Sequence, residues 1–480
     1  NSERQLFAHA RGGPAVDLAG LWADHSCAAA PSFGNPIMND PYILPPTGLS
    51  YEQVTQEIDA LFAAMTPETQ GKLSSTAFWG VSDAYDLSKA VYAKFFSWNA
   101  LFTFQEAAAA KIENDVLDIC VSLAGGTAES RANLTSGGTE SNFCALHAMR
   151  NWARQKRPDI LTPEVVAPYS VHATVHKVAQ VLDIKLVTVA QCDDLSADLA
   201  GMEAAINSNT IGIVASAPNW PYGTIDPISA LGELAIARDL WLHVDACVGA
   251  YILPFFRDLG ESVPAYDLSV KGVRSLSGDL HKYGYAPKPC STILWRSEEE
   301  QSHHYLPITQ WPCGLYLSQG LVGSRPLAPV AAIWALMHYL GRAGYVENAR
   351  KLLEVRDSII NKVGTIQGLE TWPSHGPLLQ ISSDEIDIQL VVGAMAQRDW
   401  RLLGVLDPPA IHLTVDVLSE AQLKKFLIDL EESVADIRSG RATAEGLLSY
   451  SGVGAEASAP KWLQSAVDIF ERNGQQTEIH

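Results

Sequence analysis

Apolar residues recur at helical spacing through "EAAAAKIENDVLDICVSL" (106–123) and again, after a glycine-rich turn, through "ESNFCALHAMRNWARQKR" (140–157), so a helix is predicted in each stretch. Short β-type runs follow, "EVVAP", "IKLVTVA", "IGIVASAP", "LWLHVDA" and "STILW", interleaved with helical segments such as "ISALGELAIARD". Strands alternating with helices predict an α/β domain built on a mostly parallel sheet. From about residue 320 the pattern turns helical through "PLAPVAAIWALMHYLGRAGY" and "GYVENARKLLEVRDSIINKV". It then leads to a smaller C-terminal unit with strand-like "GPLLQISS" and "AIHLTVDV". The first 60 residues or so are rich in Pro, Gly, Ala and Asn and predict an irregular arm of the kind that lies across a neighbouring subunit. The expected division is therefore 1–104 for the arm and a partner-contacting segment, 105–345 for the large domain and 346–480 for the small one.

Charge narrows the function classes. With 34 basic and 54 acidic residues the formal net charge is −20, which argues against a nucleic-acid partner, because that affinity rests on clustered Lys and Arg. A hydrophobic share of 47 % beside 18 % charged residues leaves apolar surface for a subunit interface. The seven cysteines are scattered and form no Cys-x-x-Cys pair, so neither a disulfide framework nor a zinc ribbon is expected. No apolar run is long enough for a membrane span, and the expectation is a cytoplasmic protein.

Three stretches carry candidate chemistry. In "NLTSGGTES" Ser136, Gly137, Gly138 and Thr139 precede a helix, where backbone N–H groups can hold a phosphate; the same residues also make an ordinary turn and N-cap. In "LWLHVDACVGA" Asp245 ends an apolar strand, where parallel sheets place their ligands. A buried carboxylate there needs a cationic partner, either a structural ion pair or a protonated ring nitrogen. In "GDLHKYGYAPK" Lys282 follows His281, and a partly desolvated lysine amine can form a Schiff base, whereas a lone lysine is ordinarily a solvated charge. Phosphate turn, buried Asp and lysine, in that order, are what pyridoxal phosphate requires. His172, after the strand "EVVAP", can stack on a flat cofactor ring. His172 and His176 are spaced like a metal pair, but no third ligand is evident and no metal is expected.

"NLTSGGTESN", "EVVAPYSVHATVHKVA", "NWPYGTIDP", "HVDACVGA", "GDLHKYGYAPK" and "LVGSRP" together resemble the group II pyridoxal-phosphate-dependent decarboxylases, and within them most closely the sphingosine-1-phosphate lyase family. The resemblance runs from about residue 70 to about 435. It implies pyridoxal-phosphate fold type I, like aspartate aminotransferase, with a mostly parallel seven-stranded sheet, a smaller α+β C-terminal domain, and a homodimer that shares its active sites. It also implies Lys282 as the covalent anchor of pyridoxal 5'-phosphate, Asp245 on the pyridine nitrogen, His172 on the ring, and Ser136, Gly137, Gly138, Thr139 and His281 on or near the cofactor. Gly323 and Ser324 would reach its phosphate from the partner subunit.

The substrate pocket departs from the lyase pattern. Asn99 in "NALFTFQEA" is kept, but Phe102 stands where the lyases carry His, Phe78 in "AFWG" where they carry Tyr, and Tyr222 where they often carry His. Of the groups that hold the substrate phosphate in the lyases, Lys288 alone remains. Phenyl rings offer a dianion no donor, and desolvating a phosphate against them is costly. The expectation is a carbon–carbon lyase that cleaves Cα–Cβ of a β-hydroxy amine or amino acid by retro-aldol chemistry, and not a phosphorylated sphingoid base. The alternative is an amino-acid decarboxylase. Either way the partner is a small-molecule amine or amino acid.

Overall fold

The computed structural model describes residues 47–64, 73, 78 and 82–441. The first 46 residues, with most of the expected arm, and residues 442–480 of the expected small domain lie outside the described residues.

Seven strands form the central sheet: β1 (Arg131–Thr135), β2 (Glu164–Pro168), β3 (Lys185–Val189), β4 (Thr210–Ser216), β5 (Trp241–Asp245), β6 (Val273–Gly278) and β7 (Ser291–Trp295), in the order β1-β7-β6-β5-β4-β2-β3. β7 runs antiparallel to both of its neighbours, and the remaining neighbouring strands are parallel. β2, β4, β5 and β7 are buried at every residue, which is why they read as continuous apolar runs and not as alternating ones. β1 and β6 escape that pattern because they carry polar residues in their interiors, Asn133 in one and Ser275 and Ser277 in the other.

Helices enclose the sheet. α1 (Tyr51–Ala64) and α2 (Ser82–Lys94) precede α3 (Ala107–Leu123), and the crossovers supply α4 (Gly138–Lys156), α5 (Ala173–Val181), α6 (Leu199–Ala205), α7 (Ile228–Ala237), α8 (Leu253–Asp258) and α9 (Glu298–Ser302). α1 corrects the expectation of an irregular chain up to about residue 60. Ser50 and Gln53 cap it reciprocally, Gln53 N–H donating to Ser50 Oγ at 3.2 Å and Ser50 N–H to Gln53 Oε1 at 2.9 Å. Its apolar side chains Val54, Ile58 and Leu61 follow helical spacing yet remain exposed.

The two helical stretches after residue 320 merge into α10 (Ala328–Val363), which bends at Gly341, whose φ of +55° is open to glycine at little cost. The expected boundary at 345 falls inside this helix. Beyond it, β8 (Glu370–Thr371), β9 (Leu378–Ser382), α11 (Ile388–Gln397), β10 (Leu403–Leu406), β11 (Pro409–Thr414) and α12 (Glu420–Arg438) build an antiparallel sheet of order β10-β11-β9-β8 with helices against it. Among the described residues no helix is long and apolar enough to cross a membrane.

The "LVGSRP" segment is tied to α3 by Arg325, whose Nη2 donates to Glu113 Oε1 at 2.7 Å with both side chains largely buried. Replacing Arg325 by Met strands that carboxylate in the interior and is expected to cost about 3 kcal/mol of stability, measured as a shift of the urea midpoint. Adding Glu113→Gln to the same chain should restore most of the loss.

Candidate active site

The carboxyl end of the parallel sheet opens into a cavity of ≈ 250 Å³, walled by the start of α4, the N-cap of α5, the turn after β4, the end of β5 and the loop between β6 and β7. Asp245, Lys282, His172, Gly137, Gly138 and His281 all face it. This is the position at which doubly wound sheets collect loops that cannot pair with a neighbouring strand.

Asp245 is held by an oriented series of hydrogen bonds. Trp241 Nε1–H donates to Ser275 Oγ at 2.9 Å, and Ser275 Oγ lies 3.0 Å from His243 Nδ1. His243 Nε2 lies 3.0 Å from Asn142 Oδ1, and Asn142 Nδ2 donates to Asp245 Oδ2 at 2.9 Å. Since Asn142 Oδ1 can only accept, Nε2 of His243 carries the proton and Nδ1 accepts from Ser275. Burial pushes His243 down to about 4, so the ring is neutral. The other carboxylate oxygen of Asp245 accepts from Cys247 N–H at 3.1 Å and from Ser277 Oγ at 3.2 Å. Burial alone would raise this carboxyl, but the nearby His172 and the donors Asn142 and Cys247 outweigh it and hold the acid at about 2. Asp245 is therefore a fixed negative charge looking into the cavity.

His172 caps α5 through its ring: Thr174 N–H donates to Nδ1 at 3.2 Å, which leaves Nε2 as the protonated nitrogen of the neutral imidazole. Burial lowers its pKa, with Asp245 opposing. Lys282 Nζ lies 3.1 Å from Asp279 Oδ2 and 5.5 Å from the centre of the Trp220 ring. Burial alone would push its amine down; Asp279, with Cys247 and Asp245 behind it, holds it well above the usual lysine range.

The start of α4 forms a cradle. A Cβ on Gly138 would stand 2.6 Å from Cys247 Sγ and 3.2 Å from Asp279 Oδ2, so glycine keeps open the space in front of the helix amides. Glu140, in the first turn, accepts from Ser136 N–H at 2.7 Å through Oε2 and from Leu321 N–H at 2.8 Å through Oε1, joining the cradle to the 320–322 segment. A cavity with a lysine amine, a fixed carboxylate opposite a flat imidazole and a glycine-lined helix start suits a phosphorylated pyridine aldehyde.

Comparison with known proteins agrees. The Pyridoxal-dependent decarboxylase conserved domain matches residues 86–368. The chain belongs to the pyridoxal-dependent decarboxylase family. The family uses pyridoxal 5'-phosphate, and this chain is a pyridoxal-phosphate-dependent lyase. It is 36 % identical over 412 residues to the sphingosine-1-phosphate lyase of Oryza sativa subsp. japonica, covering 84 % of this chain and 76 % of that one. It is 31 % identical over 398 residues to the L-aspartate/L-glutamate decarboxylase of Pyrococcus horikoshii, covering 81 % of this chain and 98 % of that one. Its fold matches the structure of the Burkholderia pseudomallei sphingosine-1-phosphate lyase with a TM-score of 0.81 and 30 % identity, over 90 % of this chain and 98 % of the other. Fold type I and its mostly parallel seven-stranded sheet thus stand as expected.

Not every residue expected at the site of this decarboxylase-family chain lines the cofactor cavity. Thr139 does, whereas Ser136 is exposed and outside its lining, its amide taken by Glu140. Within one chain Gly323 and Ser324 also stand apart: Asn99 Nδ2 donates to Ser324 Oγ at 3.1 Å, so Asn99 positions that segment. Phe78 packs edge-on against Tyr283 with centroids 4.9 Å apart, and Phe102 against Phe104 at 5.7 Å. Tyr222 turns away into a neighbouring cavity of ≈ 570 Å³ and donates to the carbonyl of Asp407 at 2.8 Å. Lys288 is exposed and precedes a cis proline.

Asn142, His243, Ser277 and Asp279 escaped the sequence reading. A signal existed for His243 and Ser277. Trp241, His243 and Asp245 alternate along β5, and Ser275 and Ser277 along β6, so period two puts these polar groups on one face of otherwise apolar strands.

The low folded-state value of Asp245 has a stability consequence with a definite sign. A depressed carboxyl adds stability that is full above the unfolded value near 4 and is lost as pH falls toward 2. Asp245→Asn should therefore be less stable than wild type by about 2 kcal/mol at pH 7. The gap should narrow as pH falls below about 4 and close at about pH 2, as read by urea unfolding of the two proteins across that range.

Proposed function

We propose that the chain cleaves the Cα–Cβ bond of a β-hydroxy amine or amino acid that carries no phosphate. The observation that carries this reading is the placement of Lys282 and Asp245 in one cavity, on a chain 30–36 % identical over most of its length to several sphingosine-1-phosphate lyases. In this reading Lys282 holds the cofactor through its amine, Asp245 keeps the ring nitrogen protonated, His172 covers the ring face, and Gly137, Gly138 and Thr139 receive the phosphate. Bound pyridoxal phosphate supplies an electron sink for the bond broken at Cα. The chain's part is to fix charge on one side of the ring, exclude water and hold the breaking bond across the ring plane.

The absence of phosphate from the substrate is argued from Phe78 and Phe102. Neither ring can donate, and the hydroxyl of Tyr283, whose ring packs against Phe78, is already spent on the carbonyl of Val415 at 2.7 Å. A second reading, decarboxylation of an amino acid, is favoured by the Pyrococcus relative, nearly all of which this chain matches. Homodimerisation belongs to the same proposal. It is supported by exposed apolar side chains around the segments expected to meet a partner: Ile58 and Phe62 on α1, Phe96, Trp98 and Phe104, and Trp311 and Leu321.

Wild-type protein loaded with the cofactor should show the absorption band of a lysine–cofactor imine, and Lys282→Ala should lack it. Release of an aldehyde from β-hydroxy amines supports the lyase reading, and release of CO₂ from amino acids the alternative. The double variant Phe78→Tyr, Phe102→His restores two charge-assisted donors and is expected to raise kcat/KM on a phosphorylated β-hydroxy amine by about tenfold or more; no gain would remove the argument from the two phenylalanines. Light scattering of the purified protein should give the mass of two chains.

A further inference from the structure

The cavity holds a second buried carboxylate with a different target. Asp279 sits in the turn after β6, three residues before Lys282, and is 3 % exposed. Its Oδ1 accepts from Ser291 Oγ at 2.5 Å. Its Oδ2 lies 3.1 Å from Lys282 Nζ and 3.7 Å from His281 Nε2, and borders the space a Cβ on Gly138 would fill. Cys290 N–H donates to His281 Nδ1 at 3.3 Å, so Nε2 is the protonated nitrogen and faces Asp279. Asp245 serves the far end of the cavity, whereas Asp279 is aimed at the amine.

An ammonium has no lone pair and cannot attack a carbonyl carbon, so Lys282 must lose a proton before it can bind the cofactor covalently. The groups that face it are Asp279 and His281 on its own loop, Asp245 and the Cys247 thiol from the end of β5, His172 from α5, Trp220 from the turn after β4, and Lys288. His172 and His281 are kept neutral by burial, and Lys288 repels a charged neighbour. Asp279 is the carboxylate in contact with Nζ, and it stabilises the ammonium form of the lysine.

We propose that Asp279 sets the protonation of free Lys282, holding it as an ammonium that must give up a proton before it can condense with the cofactor aldehyde and that forms again when an incoming amine displaces the lysine. On condensation one ammonium proton is first lost to solvent. The neutral amine adds through its lone pair to the aldehyde carbon, and its two remaining protons leave with the carbonyl oxygen as water, so a C=N bond stands where C=O was. On displacement the freed amine takes up a proton from solvent, and Asp279 holds it as an ammonium and keeps it from recapturing the cofactor.

The test is stopped-flow mixing of cofactor-free protein with pyridoxal phosphate across pH, following growth of the imine band. In wild type the rate should climb with pH without levelling off below about pH 9, because the amine titrates at or above the ordinary lysine value near 10.4. In Asp279→Asn the buried, unpaired amine becomes neutral more readily, so the profile should move to lower pH by at least about one unit. In the same variant the concentration of a simple amine that displaces half of the lysine–cofactor band should rise about tenfold or more, since one unit of amine pKa is one decade. Ser291→Ala, which keeps the charge, should shift the profile by less than about half a unit.

A variant profile that overlays wild type, or an equal shift in Ser291→Ala, would overturn the proposal. So would a wild-type rate already level by about pH 8, a result that needs no folded variant. A wild-type protein that binds the cofactor without any imine band would remove Lys282 as anchor and this inference with it. A band that forms but shows no dependence on Asp279 would remove the inference alone.

Discussion

The active site rests on an unneutralised negative charge kept deep inside the protein. Burial by itself would protonate Asp245. Nearby His172, the Cys247 amide and a series of hydrogen bonds prevent this, and the series runs in one direction, from the indole of Trp241 through Ser275, His243 and Asn142 to the carboxylate, each donor facing the next acceptor. The series needs β5, β6 and α4 in fixed register: Val244 opposite Leu276 and Asp245 opposite Ser277 align the two strands, and α4 lowers Asn142 onto both. A slip of one residue between β5 and β6 would turn the donors to the opposite face. Register in the middle of the sheet and charge at its end are one constraint.

Most of the large domain was legible because burial on both faces gives parallel strands a strong apolar signature. "EVVAP", "IKLVTVA", "IGIVASAP", "LWLHVDA" and "STILW" all became strands of the central sheet, and Asp245 and Lys282 meet as their order implied. β1 and β6 were not legible as strands, since their interior positions are spent on polar groups that pair across the sheet or serve the site. The parts of the site supplied by long-range contact were hidden for another reason. Asn142 looks like any helix residue and Asp279 like any turn residue until the fold sets them against Asp245 and Lys282.

The substrate side of the site shows how a retained residue can differ from a retained role. Asn99 is present, but its side chain serves the backbone and hydroxyl of neighbouring segments, accepting from Leu101 N–H at 2.9 Å and donating to Ser324. Tyr222 fills a position in the turn after β4, yet its hydroxyl fastens that turn to the β10–β11 hairpin. Both bear on where the loops sit before they bear on any ligand.

Glu140 adds a constraint of its own. One carboxylate grips two separate stretches of backbone, an amide of the cradle on one oxygen and amides of the 320–322 segment on the other. It therefore acts as a crossbar between the outer segment, with its exposed Leu321 and Val322, and the glycine turn that borders the cavity. A ligand that moved the cradle and a partner that moved the apolar edge would meet in this one carboxylate, and any effect of the first on the second would be matched by an equal effect of the second on the first.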